Sequence, residues 1–239
     1  MKDILVTILI FTGLNLYSQS VELFSGINYG GALPSEKLEN SKGSGCLGLS
    51  LGAGINFEIS KKFMFSPSLS YELRRFKYTS QEHNDTVVSV DMFGSPASLP
   101  TYYTAFVSGK PLLHYATLNL PIKLYYNEKM SLNFGIYYGF AFVGKDITEV
   151  LVQIGEGGVI DDQYIEQDNW DKINRHEIGL SLGGSYSISE RIDITLRAHR
   201  SLTPFYDENH IKNSDGQNVN FYSTGVQLTI NYQIPQKMG

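Results

Sequence analysis

Apolar residues recur at every second position over eight segments of the chain. The clearest segment runs from Gly48 to Ile59. Leu49, Leu51, Ala53, Ile55, Phe57 and Ile59 fall on one face, and Gly48, Ser50, Gly52, Gly54, Asn56 and Glu58 on the other. A period of two is the signature of a β-strand whose faces meet unlike surroundings. The same alternation marks residues 63–74, 117–124, 131–142, 177–188 and 221–234, with weaker runs at 21–31 and 191–200. Three connections are short: Ser60-Lys61-Lys62, Asn127-Glu128-Lys129 and Ser189-Glu190. The other four are long, at about 33–47, 79–112, 146–173 and 203–218. An even number of strands, with short turns at one end and long loops at the other, is the layout of a membrane barrel. The pattern predicts an all-β, eight-stranded antiparallel up-and-down transmembrane β-barrel with short periplasmic turns and long extracellular loops. Within the second loop, "TVVSVDMF" and "TYYTAFV" look like strand extensions. That hairpin is expected to project beyond the membrane, with Tyr102, Tyr103 and Phe106 open to a partner.

What the non-apolar face contains separates a membrane barrel from a soluble one. A soluble barrel buries its apolar face and turns a charged face to water. Here the second face is Gly, Ser, Asn and Thr with few charges. Eight strands enclose a space just wide enough for side chains to fill, and small polar residues suit that interior. The large apolar residues then face lipid. Tyr29, Phe57, Phe63, Tyr126, Tyr186, Tyr222 and Tyr232 fall near strand ends, where interfacial girdles sit. The inward face carries Glu72, Arg74, Glu177, Arg197 and His199 towards the outer half, and Glu58, Lys123 and Asp193 towards the inner half. Charges away from water must pair, so two interior polar networks are expected. Structural pairing that fills a narrow lumen is the preferred role, and a proton or ion path the alternative.

Composition agrees and narrows the classes. Of 239 residues, 18% are charged, and 19 Lys+Arg against 24 Asp+Glu leave a net charge of -5. A mildly acidic chain lacks the basic face that a nucleic-acid partner needs. Tyr (16) and Phe (13) supply nearly all the aromatics, and Gly reaches 23, too apolar a mixture for a disordered chain. One cysteine excludes an intramolecular disulfide framework. Residues 1–20 combine a short polar start, an apolar run from Ile4 to Leu16 and small residues at Ser18 and Ser20. This is the form of a secretory signal, with cleavage expected after Ser18 or Ser20. The expected division is a signal at 1–20, a barrel domain at 21–234 and a C-terminal tail at 235–239.

Candidate chemistry is sparse. Gly43, Gly45 and Gly48 form a G-x-G-x-x-G pattern, but it runs into an alternating strand rather than opening a helix. Cys46 is expected to be a lone thiol. His83, His114, His176, His199 and His210 show no metal-ligand spacing. Ser181 or Ser185 beside His199 is the one arrangement that could suggest a hydrolase, although small interior serines are expected anyway. From Asp146 to Asp171 the third loop holds eight acids and no Lys or Arg. Asp161, Asp162, Glu166, Asp168 and Asp171 are weak Ca²⁺ candidates, since Ca²⁺ takes several oxygen ligands. Their spacing is not that of an EF-hand, and a solvated acidic loop is the preferred reading. No cofactor and no catalytic residue is expected.

Against known families, the chain resembles the PorT-like outer-membrane β-barrel proteins of Bacteroidota along essentially its whole length. The resemblance rests on "YSQS" at the end of the signal, "FSGINYGG" in the opening strand, and "LNLPIKLYYNEK" followed by "LNFGIYYGF". The stretch Leu118 to Lys129 is similar to that family's "EIPLLLKY" strand, with Pro121 and Lys123 in matching places. One departure is the tail Pro235-Gln236-Lys237-Met238-Gly239 after the last strand, where such barrels often end on an aromatic. Tyr232 takes the place of that residue. The resemblance implies a non-enzymatic integral barrel that displays loops or supports an envelope or secretion complex. Its expected partners are outer-membrane lipid, lipopolysaccharide and envelope proteins. A narrow solute channel and a membrane-embedded lipid-modifying enzyme or protease are the alternative expectations.

Overall fold

The computed structural model describes residues 19–34, 41–92, 95–145, 147–155, 161–168, 170, 173–205 and 220–234. The strands are β1 (Gln19–Pro34), β2 (Ser41–Ser60), β3 (Phe63–Phe65), β4 (Ser68–Met92), β5 (Ser95–Gly109) and β6 (Leu112–Tyr125). They continue as β7 (Met130–Lys145), β8 (Ile147–Gly155), β9 (Asp161–Asp168), β10 (His176–Ser189), β11 (Ile192–Ser201) and β12 (Phe221–Ile234). Every pairing is antiparallel. From β1 the order runs through β12, β11, β10, β7 and β6 to β3 and β4, then β2, which pairs β1 again. The neighbours therefore form a ring, with β3 and β4 as two parts of one wall position.

The three short turns have a common chemical cause. Each starts with a side-chain oxygen that accepts hydrogen bonds from backbone N–H groups two or three residues on. Asn127 Oδ1 accepts from Lys129 at 2.9 Å and Met130 at 2.8 Å. Ser60 Oγ accepts from Lys62 and Phe63, and Ser189 Oγ from Arg191. Such self-capping is why Asn and Ser favour turns.

The strand predicted at 63–74 is interrupted at Ser66-Pro67. Its neighbour β6 carries Pro121, which has no N–H to donate. The break falls opposite that proline, where the Pro121 carbonyl still accepts from the Ser66 N–H at 3.0 Å. Other strands are longer than their alternation suggests. The first connection is mostly strand, because β1 reaches Pro34 and β2 starts at Ser41. The second is a hairpin, β4 against β5 from Tyr78↔Gly109 to Met92↔Ser95. The third contains the β8–β9 hairpin, and β8 pairs with β5. Thus β4, β5, β8 and β9 carry one side of the wall beyond the ring.

Burial is inverted relative to a water-soluble protein. Glu72, Arg74, Lys123, Glu177 and Asn133 are 2–4% exposed, whereas Leu49, Leu182 and Ile230 are 58–59% exposed. This is the arrangement of a wall that faces lipid.

Candidate functional site

The interior holds two polar assemblies, one above the other. In the outer half, Arg74 on β4 bonds Glu72 two residues before it and Glu177 on β10 across the lumen, each at 2.8 Å. The two strands between them, β6 and β7, supply the rings that line the guanidinium. Its carbon lies 4.4 Å from the Tyr115 ring centre and 5.8 Å from that of Tyr137. The Tyr137 hydroxyl donates to Glu177, and Ser70 donates to Glu72 at 3.1 Å. His199 stands edge-on to Tyr137 at 5.7 Å. Glycines make room for these rings. A Cβ at Gly179 would collide with Tyr137, and one at Gly225 with His199.

At the end of the ring away from the short turns lies an apolar core of Phe76, Leu113, Tyr115, Ala141, Ile173, Phe205 and Phe221, with Trp170 against it. Phe76 and Phe205 meet edge to face at 5.3 Å. The segments carrying Ile173 and Phe205 are fastened by backbone bonds. Ala141 donates to Arg175 at 2.8 Å, Asn174 to Phe205 at 2.9 Å and Phe205 to Phe221 at 2.6 Å.

In the inner half Lys123 pairs with Glu22 at 3.0 Å, and Asn56 donates to the same carboxylate at 3.1 Å. Beside them runs a neutral chain. Asn133 donates to Ser185 at 2.7 Å, Ser185 and Thr195 share a bond of 2.7 Å, and Asn231 donates to Thr195 at 2.9 Å. Gln227 donates to Ser50 at 2.7 Å. The space left among Glu22, Asn56, Lys123, Arg197 and Asn231 is about 10 Å³, room for no more than one water.

The residues read from the sequence as lumen charges meet differently from their expected grouping. Glu72, Arg74 and Glu177 come together. Arg197 lies lower than the others of its group, lining the inner space with an unpaired Nε. Asp193 is buried and accepts from Gln233 at 3.3 Å. Glu58 is a correction. It lies exposed at the rim beside a bulge, because β2 ends two residues later. The partner of Lys123 is Glu22, on the weakly alternating first strand, and the sequence reading missed it. The inward phase of Glu22, Phe24, Gly26 and Asn28 was its available signal.

The remaining candidates do not assemble. Gly43, Gly45 and Gly48 all lie within β2, as does half-buried Cys46. Ser181 and His199 are cross-strand neighbours, but the serine donates to the Gly135 carbonyl at 3.4 Å. Asp161, Asp162, Glu166 and Asp168 all lie on β9. Asp171 lies outside the described residues, as do His210 and the signal at 1–18. Among the described residues no group of three or more His, Cys, Asp or Glu is placed to hold a metal. His114 and His176 are on strands and face outward. Their Nδ1 atoms meet Tyr71 Oη at 2.8 Å and Tyr138 Oη at 2.6 Å.

The sequence matches the outer membrane protein beta-barrel domain family across residues 17–207. The chain belongs to this family. It is therefore a transmembrane β-barrel of the outer membrane, and the inverted burial has its explanation. No curated protein matches the sequence significantly. Among solved structures, OprG from Pseudomonas aeruginosa is 10% identical with a TM-score of 0.41, over 92% of this chain and 97% of that one. Ail of Yersinia pestis is 11% identical with a TM-score of 0.39, over 91% and 100%. Neisserial surface protein A is 10% identical with a TM-score of 0.37, over 91% and 99%. At such scores the family assignment stands on the sequence match.

Proposed function

We propose that this protein is a closed, eight-stranded, PorT-like barrel that acts without catalysis and without conducting solutes. It holds an outward-projecting β-sheet for an envelope or secretion-complex partner. One observation carries the reading: among the described residues, packed side chains fill the lumen. The Arg74 assembly spans it, the Phe76–Phe205 core covers its outer mouth, and about 10 Å³ remains among the inner polar groups. Polar groups that bond one another leave no water path, and a porin needs an aqueous channel. The extended wall of β4, β5, β8 and β9 is then what the membrane body supports.

The short turns at Ser60, Asn127 and Ser189 face the periplasm in this reading, and the extended hairpins face outward. Export uses the signal. Cleavage after Ser18 fits best, because Gln19 and Ser20 already pair with Phe57 and Asn56. The intact mass of the mature protein tests that site. Planar-bilayer recording tests the central claim. The expected result is no stable conductance from the folded protein, and large, steady openings would overturn it. Partners recovered with the protein from native outer membranes would then name the complex.

A further inference from the structure

An indentation in the lipid-facing wall combines an apolar floor with a cation. Strands β7, β10, β11 and β12 present two outward rows, Ile136–Leu180–Arg200–Thr224 and Phe134–Leu182–Ala198–Val226. The Ala198 methyl does not rise to the level of Leu182 and Val226 on either side. A groove of about 620 Å³ opens there. Arg200 stands exposed at the groove's end, one residue before β11 stops. Among the described residues it has no carboxylate partner.

An arginine on the lipid side of a barrel is costly near the membrane centre and tolerated near the interface. There its fork of donors suits a phosphate. The apolar notch beneath it has the character that an acyl chain fills. In the orientation proposed above, the Arg200 end of β11 is the outer end, so the groove lies in the outer leaflet. We propose that this groove binds a phosphorylated, multiply acylated glycolipid of the outer leaflet. One acyl chain lies over Ala198 between Leu182 and Val226, and a phosphate bonds the exposed Arg200. The proposal rests on the membrane orientation above and adds a specific lipid site to it.

Native mass spectrometry of the folded full-length protein in detergent tests this, with lipid A, dephosphorylated lipid A and phosphatidylethanolamine offered at equal concentrations. One lipid A retained per barrel is expected, with the other two retained weakly. Arg200→Gln and Ala198→Phe should each lower retention about tenfold, the equivalent of one charge-assisted hydrogen bond. Arg75→Gln removes an exposed cation from β4, on another part of the wall, and should leave retention unchanged. Both groove variants lie on the lipid face, and heat-modifiable gel mobility shows that each is folded. Equal retention of the dephosphorylated lipid or of phosphatidylethanolamine overturns the proposal, as does an Arg200→Gln variant that binds normally. If protease digestion of vesicle-inserted protein shows the Asn127 turn on the outer side, the orientation fails as well. Correct orientation without lipid selectivity overturns the lipid site alone.

Discussion

The outer and inner halves of the lumen solve the same problem by different chemistry. Both must fill a narrow interior with groups that cannot reach water. The outer half places one cation between two carboxylates, Arg74 between Glu72 and Glu177, and surrounds it with Tyr115, Tyr137 and the apolar cap. Among the described residues the inner half has one ion pair, Lys123 with Glu22, the separate charges of Arg197 and Asp193, and otherwise neutral amides and hydroxyls. The contrast shows where dependence on a single residue lies. In the outer half both ion pairs run through Arg74. In the inner half the bonds are distributed, and the loss of one leaves others in place.

The largest effect is therefore expected from Arg74→Met. It leaves Glu72 and Glu177 buried without their shared cation. Breaking a buried pair in this way costs about 3–5 kcal/mol. Urea unfolding of the protein in lipid vesicles, followed by heat-modifiable gel mobility, measures it. A loss below 1 kcal/mol would mean that the outer assembly is not the anchor of the barrel. Lys123→Met should cost less, about 2–3 kcal/mol, in the range for a hydrogen bond to a charged group. Glu22 keeps the Asn56 amide, and the inner space admits a water that can solvate it. If Lys123→Met proves as damaging as Arg74→Met, the proposed difference between the halves disappears.

Much of the wall was legible in the sequence because its two faces meet different solvents. Leu49 against Ser50, or Leu132 against Asn133, declares the facing of a strand without reference to any other strand. Three things were not legible, each for a physical reason. Which inward charges meet depends on their heights in the ring and on reach across it, which parity does not encode. Hence Lys123 was grouped with Glu58 and Asp193, while its partner Glu22 lay on the strand with the weakest pattern. Strand length beyond the ring was also hidden in β1, β2 and the β8–β9 hairpin, where apolar and polar residues do not alternate strictly, although the β4–β5 extensions were read. Finally, Tyr115 fell two residues before the alternation became readable at Thr117. Tyr115 shares the inward phase of Thr117 and Asn119, but there the inward residues are Leu113 and Tyr115, part of the apolar core. With apolar residues on both faces the contrast that marks a strand is lost, and the ring closest to the Arg74 guanidinium went unread.

Two smaller changes sharpen the contrast between the halves. Tyr137→Phe keeps the ring and removes the hydroxyl that bonds Glu177. The carboxylate retains Arg74, so the expected cost is about 1.5–2 kcal/mol, the lower part of the range for a bond to a charged group. The matching change in the inner half is Asn133→Ala, which removes the amide that bonds Ser185. Ser185 keeps Thr195, and Thr195 keeps Asn231, while Ser131 loses only the long bond of 3.4 Å that it donates to Asn133 Oδ1. About 1 kcal/mol is expected, the net worth of a neutral hydrogen bond. The two variants differ in what they spare. Combined with Arg74→Met, Tyr137→Phe should be far from additive, because both act on Glu177. Asn133→Ala should add to Arg74→Met within about 0.5 kcal/mol, as independent sites do. Strong coupling between Asn133 and Arg74 would show that the two halves form one network, with Arg197 between them as the connection.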